Sequence, residues 1–214
     1  MVGGKQSLKT LIAIPCLDMM HTAFVCSLIG LKLSGQVEYR FSQNSLVYDS
    51  RNQLAEYAVR NEFDRVLWLD SDMTFPRDLF EQFHKDLNGG IDVVCGLFTS
   101  RKPPIKPIVY QRIDPNGRLG PEAIMMKTIP ENQIFQVGGV GFGAVMMNTS
   151  VLKSVMKTYG FMFSPILGMG EDLSFSHRCN QLGIKMYCDS RIKCGHVGMI
   201  EYSYQDTKTV EVEK

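Results

Sequence analysis

The sequence predicts an α/β fold: a Rossmann-like, mostly parallel sheet with helices on both faces, and a smaller mixed sheet in the C-terminal half. Three observations carry that reading. Short apolar runs alternate four times with helical patterns up to about residue 98, as in parallel sheets wrapped by crossover helices. The texture then changes, and Pro, Gly and polar residues dominate 99–135 before strand-like runs resume. Finally, Asp70-Ser71-Asp72 follows an apolar run directly, at a strand end, where open α/β sheets bind ligands.

The elements follow in order. Leu11-Ile12-Ala13-Ile14, stopped by Pro15, predicts a first buried strand. A helical pattern runs over 19–33, with Ala23, Leu28 and Leu31 on its apolar face, and ends near Gly35. Residues 37–42 alternate as a second strand. Ser50 opens a helix with Gln53 as its capping-box partner and Leu54, Tyr57 and Ala58 along one face. Residues 65–69 form the third strand. Pro76 stands at the first helical position before a helix over 77–87, closed by Gly89-Gly90. A fourth strand covers 92–98.

Beyond it, Asp114-Pro115-Asn116-Gly117 reads as a hairpin-type turn between strands at 108–110 and 123–126. Residues 136–140 and 144–147 read as strands flanking a glycine-rich joint. Thr149 or Ser150 caps a helix reaching Tyr159, and Gly168-Met169-Gly170 leads into a helix over 171–182, stopped by Gly183. A last buried strand lies at 185–189, with Cys194-Gly195-His196-Val197 beyond it and a charged tail over 202–214.

Composition narrows the function classes. At 214 residues the chain is long enough for one domain, 1–214, with a substantial interior. With 23 basic and 22 acidic residues and no basic block, no nucleic-acid partner is expected. No segment approaches the ~20 apolar residues of a transmembrane helix, and the start lacks a signal-peptide core. Six scattered cysteines without a C-x-x-C pair predict a reduced, cytoplasmic protein.

Several clusters could carry chemistry. Two carboxylates at Asp70 and Asp72 can hold a divalent cation and leave sites for phosphate oxygens. With 12 Asp in the chain, chance supplies ~0.7 Asp-x-Asp matches, so the weight rests on the strand-end position. Arg51-Asn52 sits in the predicted first turn of a helix, where a cation opposes the dipole unless it meets an anion such as phosphate. Glu171-Asp172 opens a helix beside a glycine-flanked loop. That placement suits the macrodipole, and it equally suits a general base reaching a hydroxyl. A lone His such as His196 is more often a hydrogen-bonded structural residue, but joined to Asp70 and Asp72 it would complete a cation site favouring Mn²⁺ somewhat over Mg²⁺. The patch Gly138-Gly139-Val140-Gly141-Phe142-Gly143 matches neither a dinucleotide fingerprint nor a P-loop.

Together these features resemble the GT-A fold of nucleotide-sugar glycosyltransferases over about 8–200. The likeness rests on the strand ending in Val66-Leu67-Trp68-Leu69-Asp70-Ser71-Asp72-Met73, the Gly170-Glu171-Asp172 helix start and the late Gly195-His196. Ser50-Arg51-Asn52 before the acidic strand further resembles the fungal mannan polymerase subunit group and small bacterial or phage glycosyltransferases. The resemblance implies a nucleotide-binding half at about 8–100 and an acceptor and catalytic half at about 101–200. It implies a metal-dependent transfer from a UDP- or GDP-sugar to a saccharide or other hydroxyl acceptor, with Mn²⁺ or Mg²⁺ as cofactor.

By the same likeness Asp72 and His196 ligate the metal, and Asp70 contacts the metal or the donor. Pro15, Arg51, Asn52 and Ser71 line the donor site; Asp172 and Glu171 are the catalytic pair, with the Asp as base in inverting members and both acids holding the donor sugar in retaining ones. The segment Arg101-Lys102-Pro103-Pro104 is a candidate donor or acceptor loop. A sugar nucleotidyltransferase would carry a Gly-rich basic loop where this chain has Pro15-Cys16-Leu17-Asp18-Met19. A non-catalytic GT-A-like scaffold would be expected to have lost one of the four acids.

Overall fold

Five of the seven strands in the central sheet run one way, and two oppose them. The computed structural model describes residues 7–43, 45–114, 116–117, 122–166 and 168–198. The predicted tail over 202–214 and Pro115 of the predicted hairpin turn lie outside the described residues.

In chain order the elements are β1 (Lys9–Pro15), α1 (Thr22–Ile29), β2 (Gln36–Ser42), α2 (Val47–Arg60), β3 (Arg65–Leu69), β4 (Met73–Thr74), α3 (Leu79–Asn88) and β5 (Val93–Leu97). There follow β6 (Val109–Asp114), β7 (Glu122–Met125), β8 (Ile134–Val137), β9 (Gly139–Val140), β10 (Ala144–Asn148), α4 (Thr149–Tyr159), α5 (Glu171–Gln181), β11 (Met186–Lys193) and β12 (Gly195–His196). The sheet order is β2-β1-β3-β10-β5-β11-β8. β1 pairs in parallel with β2 and β3, and β5 with β11. β10 runs antiparallel between β3 and β5, and β8 antiparallel beside β11.

The interior strands are apolar throughout because both faces of the sheet are covered. Side chains alternate across β1: Leu11 and Ala13 enter one cluster, Ile12 and Ile14 the other. Leu54 and Ala58 of α2, Leu152 of α4 and Phe175 of α5 pack on the first face. Phe24 of α1 and Phe80 and Phe83 of α3 pack on the second. A three-stranded sheet β7-β6-β9 and a two-stranded pair β12-β4 complete the C-terminal half.

Some helix boundaries differ from the sequence expectation. α1 is shorter than 19–33, because Met19, 80% exposed, belongs to the loop above β1. α2 starts at Val47 rather than Ser50, so no capping box forms: Ser50 Oγ lies 2.6 Å from Ser45 Oγ, and Gln53 Oε1 accepts from Ser42 Oγ. α3 starts at Leu79, and Pro76 precedes it with its carbonyl accepting the Leu79 N–H.

Candidate active site

A cleft of about 420 Å³ opens beyond the C-terminal ends of β1 and β3. Pro15 ends β1 there, Asp70, Ser71 and Asp72 follow β3, and Val47 and Ser50 of α2 form part of the wall. The acidic turn is tight. Asp70 N–H donates to the Gly143 carbonyl at 3.0 Å, and Met73 N–H returns to the Asp70 carbonyl at 3.1 Å. Both contacts hold the two carboxylates at the C-terminal end of β3.

His196 arrives from the far end of the chain. β12 pairs antiparallel with β4, so His196 lies opposite Met73 and Gly195 opposite Thr74. Val197 N–H donates to the Asp72 carbonyl at 2.7 Å. Glycine at 195 leaves room for Thr74, whose Oγ1 a Cβ there would meet at 2.3 Å unless the threonine rotated. The result sets His196 Nε2 3.3 Å from Asp72 Oδ2, while Nδ1 lies 2.9 Å from the Thr99 carbonyl. A carbonyl can only accept, so Nδ1 carries the proton and Nε2 faces the carboxylate. The Asp72 hydrogen bond raises the His196 pKa against the opposing effect of burial. For Asp72, burial pushes the carboxyl up, but the His196 hydrogen bond and the His196 and Arg101 charges outweigh it and hold it below its ordinary value.

Asp70 is anchored from behind. Arg51, 2% exposed, donates from Nη2 to both Asp70 oxygens at 2.8 and 3.1 Å, and from Nε to Glu171 Oε1 at 3.2 Å. Its guanidinium lies 5.1 Å from the Phe142 ring centroid, on an aromatic bed shared with Trp68, Phe163 and Phe175. Arg51 Nη1 is buried with no partner among the described residues. Burial raises the Asp70 carboxyl, and Arg51 offsets only part of that rise.

Glu171 and Asp172 open α5 behind Gly170. Burial first and the Glu171 charge second push Asp172 up to about 6, against the Leu173 N–H that reaches its Oδ1 at 2.7 Å.

Pro15, Asp70, Ser71 and Asp72 therefore line the cleft, and His196 joins Asp72. Glu171 reaches Asp70 only through Arg51. Asp172 stands beside Glu171 and is not among the described residues lining the cleft. Arg51 and Asn52 turn inward rather than toward the cleft. Asn52 Oδ1 accepts from the Met162 and Phe163 N–H groups at 3.1 and 2.9 Å, tying α2 to the segment after α4. The glycine-rich joint lets protein approach closely: a Cβ on Gly141 would meet Ile108 Cγ2 at 2.6 Å.

Sequence alone assigns Arg101 no site role of its own, yet it lines the cleft and pairs through Nη1 with Asp72 Oδ2. Its sequence signal is the Arg101-Lys102-Pro103-Pro104 segment, a candidate donor or acceptor loop in which no single residue stands out.

Among the described residues no three His, Cys, Asp or Glu side chains surround a single point closely enough to hold a metal ion. Asp72 and His196 nevertheless fit a cation as a two-donor platform. Neighbouring ligands of an octahedral ion sit ~3 Å apart when each bond is ~2.1 Å, close to the 3.3 Å seen here. The carbonyl on His196 Nδ1 is the outer contact that orients metal-ligating histidines.

No family model matches the chain, and no curated protein matches its sequence. Solved structures share its fold. A197 from STIV aligns at a TM-score of 0.63 and 18% identity, over 92% of this chain and 100% of that one. GalNAc-T7, solved with UDP, GalNAc and Mn²⁺, aligns at 0.58 and 12% identity, over 92% of this chain and 45% of that one. Likeness at these identities defines the class by its fold: an α/β protein of the GT-A glycosyltransferase fold.

Proposed function

We propose that this chain is a metal-dependent glycosyltransferase, moving a sugar from a UDP- or GDP-sugar to the hydroxyl of a saccharide or other acceptor. One observation carries the reading. Asp72 and His196, 124 residues apart in sequence, meet at the edge of a cleft into which Asp70 also opens. The UDP and Mn²⁺ named with GalNAc-T7 support it by likeness of fold.

In this reading Asp72 and His196 would hold Mn²⁺ or Mg²⁺. The cation supplies Lewis-acid charge against the negative charge that builds on the departing nucleoside diphosphate. Asp70, kept in place by Arg51, faces the donor, while Pro15 and Ser71 line its nucleotide side. In an inverting transfer Asp172 would be the base that takes the acceptor proton, its carboxyl raised to about 6; in a retaining one Asp172 and Glu171 would hold the donor sugar. Glu171 adds the neighbouring charge that helps raise the Asp172 carboxyl.

Hydrolysis of a panel of nucleotide sugars with and without Mn²⁺ tests the reading without knowledge of the acceptor. The expected result is Mn²⁺-dependent release of nucleoside diphosphate from one donor, reduced ~100-fold in Asp72→Ala. Unchanged turnover in that variant would discard the proposal.

A further inference from the structure

The cleft is acidic, and a donor diphosphate brings more negative charge. Asp70 and Asp72 open into it, and Glu171 stands behind Asp70 across Arg51. Arg51 is 2% exposed and absent from the cleft lining, with Nε and Nη2 committed to Glu171 and Asp70 and Nη1 buried. Arg101 is the only arginine or lysine among the described residues that line the cleft. Its side chain is half exposed and pairs with Asp72 Oδ2, the same oxygen that His196 Nε2 faces. One carboxylate oxygen therefore carries both an imidazole and a guanidinium, and a cation on Asp72 and His196 would compete with Arg101 for it.

The backbone under Arg101 is built independently of that ion pair. Ser100 N–H donates to the Lys106 carbonyl at 2.8 Å, and Lys106 N–H donates to Ser100 Oγ at 3.1 Å. Thr99 bridges to Pro107 below them. The loop base is stapled, so the side chain can swing without unravelling its support. The Arg101 side of the pair is half exposed, so the guanidinium can leave Asp72 toward solvent, and its fork matches the paired oxygens of a diphosphate.

We infer that Arg101 is a donor-binding residue whose guanidinium alternates between the Asp72 carboxylate, where the structure places it, and the diphosphate of the donor. The inference rests on the glycosyltransferase reading above. It makes Arg101 a competitor of the cation and a partner of the nucleotide, two roles that one substitution separates.

Calorimetric titration of wild type, Arg101→Ala and Arg101→Lys with MnCl₂ alone, then with UDP and with GDP at saturating Mn²⁺, tests this. Arg101→Ala is expected to bind Mn²⁺ alone ~3-fold more tightly and the nucleotide ~10-fold more weakly. Arg101→Lys keeps the charge without the fork and recovers only part of the nucleotide affinity. If Arg101→Ala leaves either affinity at its wild-type value while wild type binds nucleotide only with Mn²⁺, the alternation is overturned and the glycosyltransferase reading stands. If wild type shows no Mn²⁺-dependent binding of either nucleotide, that reading falls and this inference falls with it.

Discussion

Asp70 and Asp72 sit on one short turn, yet they belong to two different regions of the molecule. Asp70 caps a buried corner in which Arg51 bridges it to Glu171 over an aromatic bed. Asp72 stands at the rim of the cleft as the less exposed carboxylate, 19% against 30% for Asp70, and its partners are His196 and the half-exposed Arg101. The corner offers contacts that cannot be exchanged without leaving charge stranded in the interior. The rim offers contacts that solvent, a cation or a ligand can replace. A two-residue step thus separates a carboxylate that is held from one that is available.

Arg51→Met breaks the corner. It leaves Asp70, Glu171 and Asp172 around a missing charge, and removing one partner of a buried pair costs ~3–5 kcal/mol. Urea denaturation reads the loss, and wild-type stability would show that the corner does not hold the fold.

A smaller effect comes from Asp172. Its carboxyl is raised from 3.8 to about 6, so the folded state favours the protonated form. Stability is therefore full below about 4, falls as pH rises through about 6 and stays lower above it. Asp172→Asn should abolish that slope and stabilise the protein at pH 7 by up to about 3 kcal/mol. In wild type, donor turnover should rise through the same window as the base ionises, and a flat profile would remove Asp172 from that role.

Asn52→Ala tests the wall of the corner. Losing the acceptor for the Met162 and Phe163 N–H groups should cost ~1–2 kcal/mol, read as a lower melting temperature. Asp72→Asn marks the other extreme, with a stability change of about 1 kcal/mol or less, because its Arg101 partner is half exposed and the amide keeps a polar group facing His196. A large loss there would erase the distinction between the two regions.

The strands and most helices were legible because their signals are local. β3 falls on the predicted 65–69, and α4 and α5 end within a residue of the Tyr159 and Leu182 stops. Arg51 shows where local reading ends. With α2 starting at Val47, Arg51 falls past the first turn and faces inward, so the dipole argument that pointed it at an anion no longer applies. Its partners Asp70 and Glu171 come from two other elements, and no spacing rule names them.

By itself the sequence determined the α/β alternation and the strand-end position of Asp70-Ser71-Asp72, because periodicity and turn residues act over a few positions. Only the tertiary structure decided that β10 runs antiparallel between β3 and β5, and that β12 returns to β4 to bring His196 to Asp72. It also decided which cation meets which carboxylate: Arg51 beneath Asp70, Arg101 on Asp72. The physical reason is range. Strand order and ion pairing are settled by burial and charge among segments distant in sequence, which local pattern does not record.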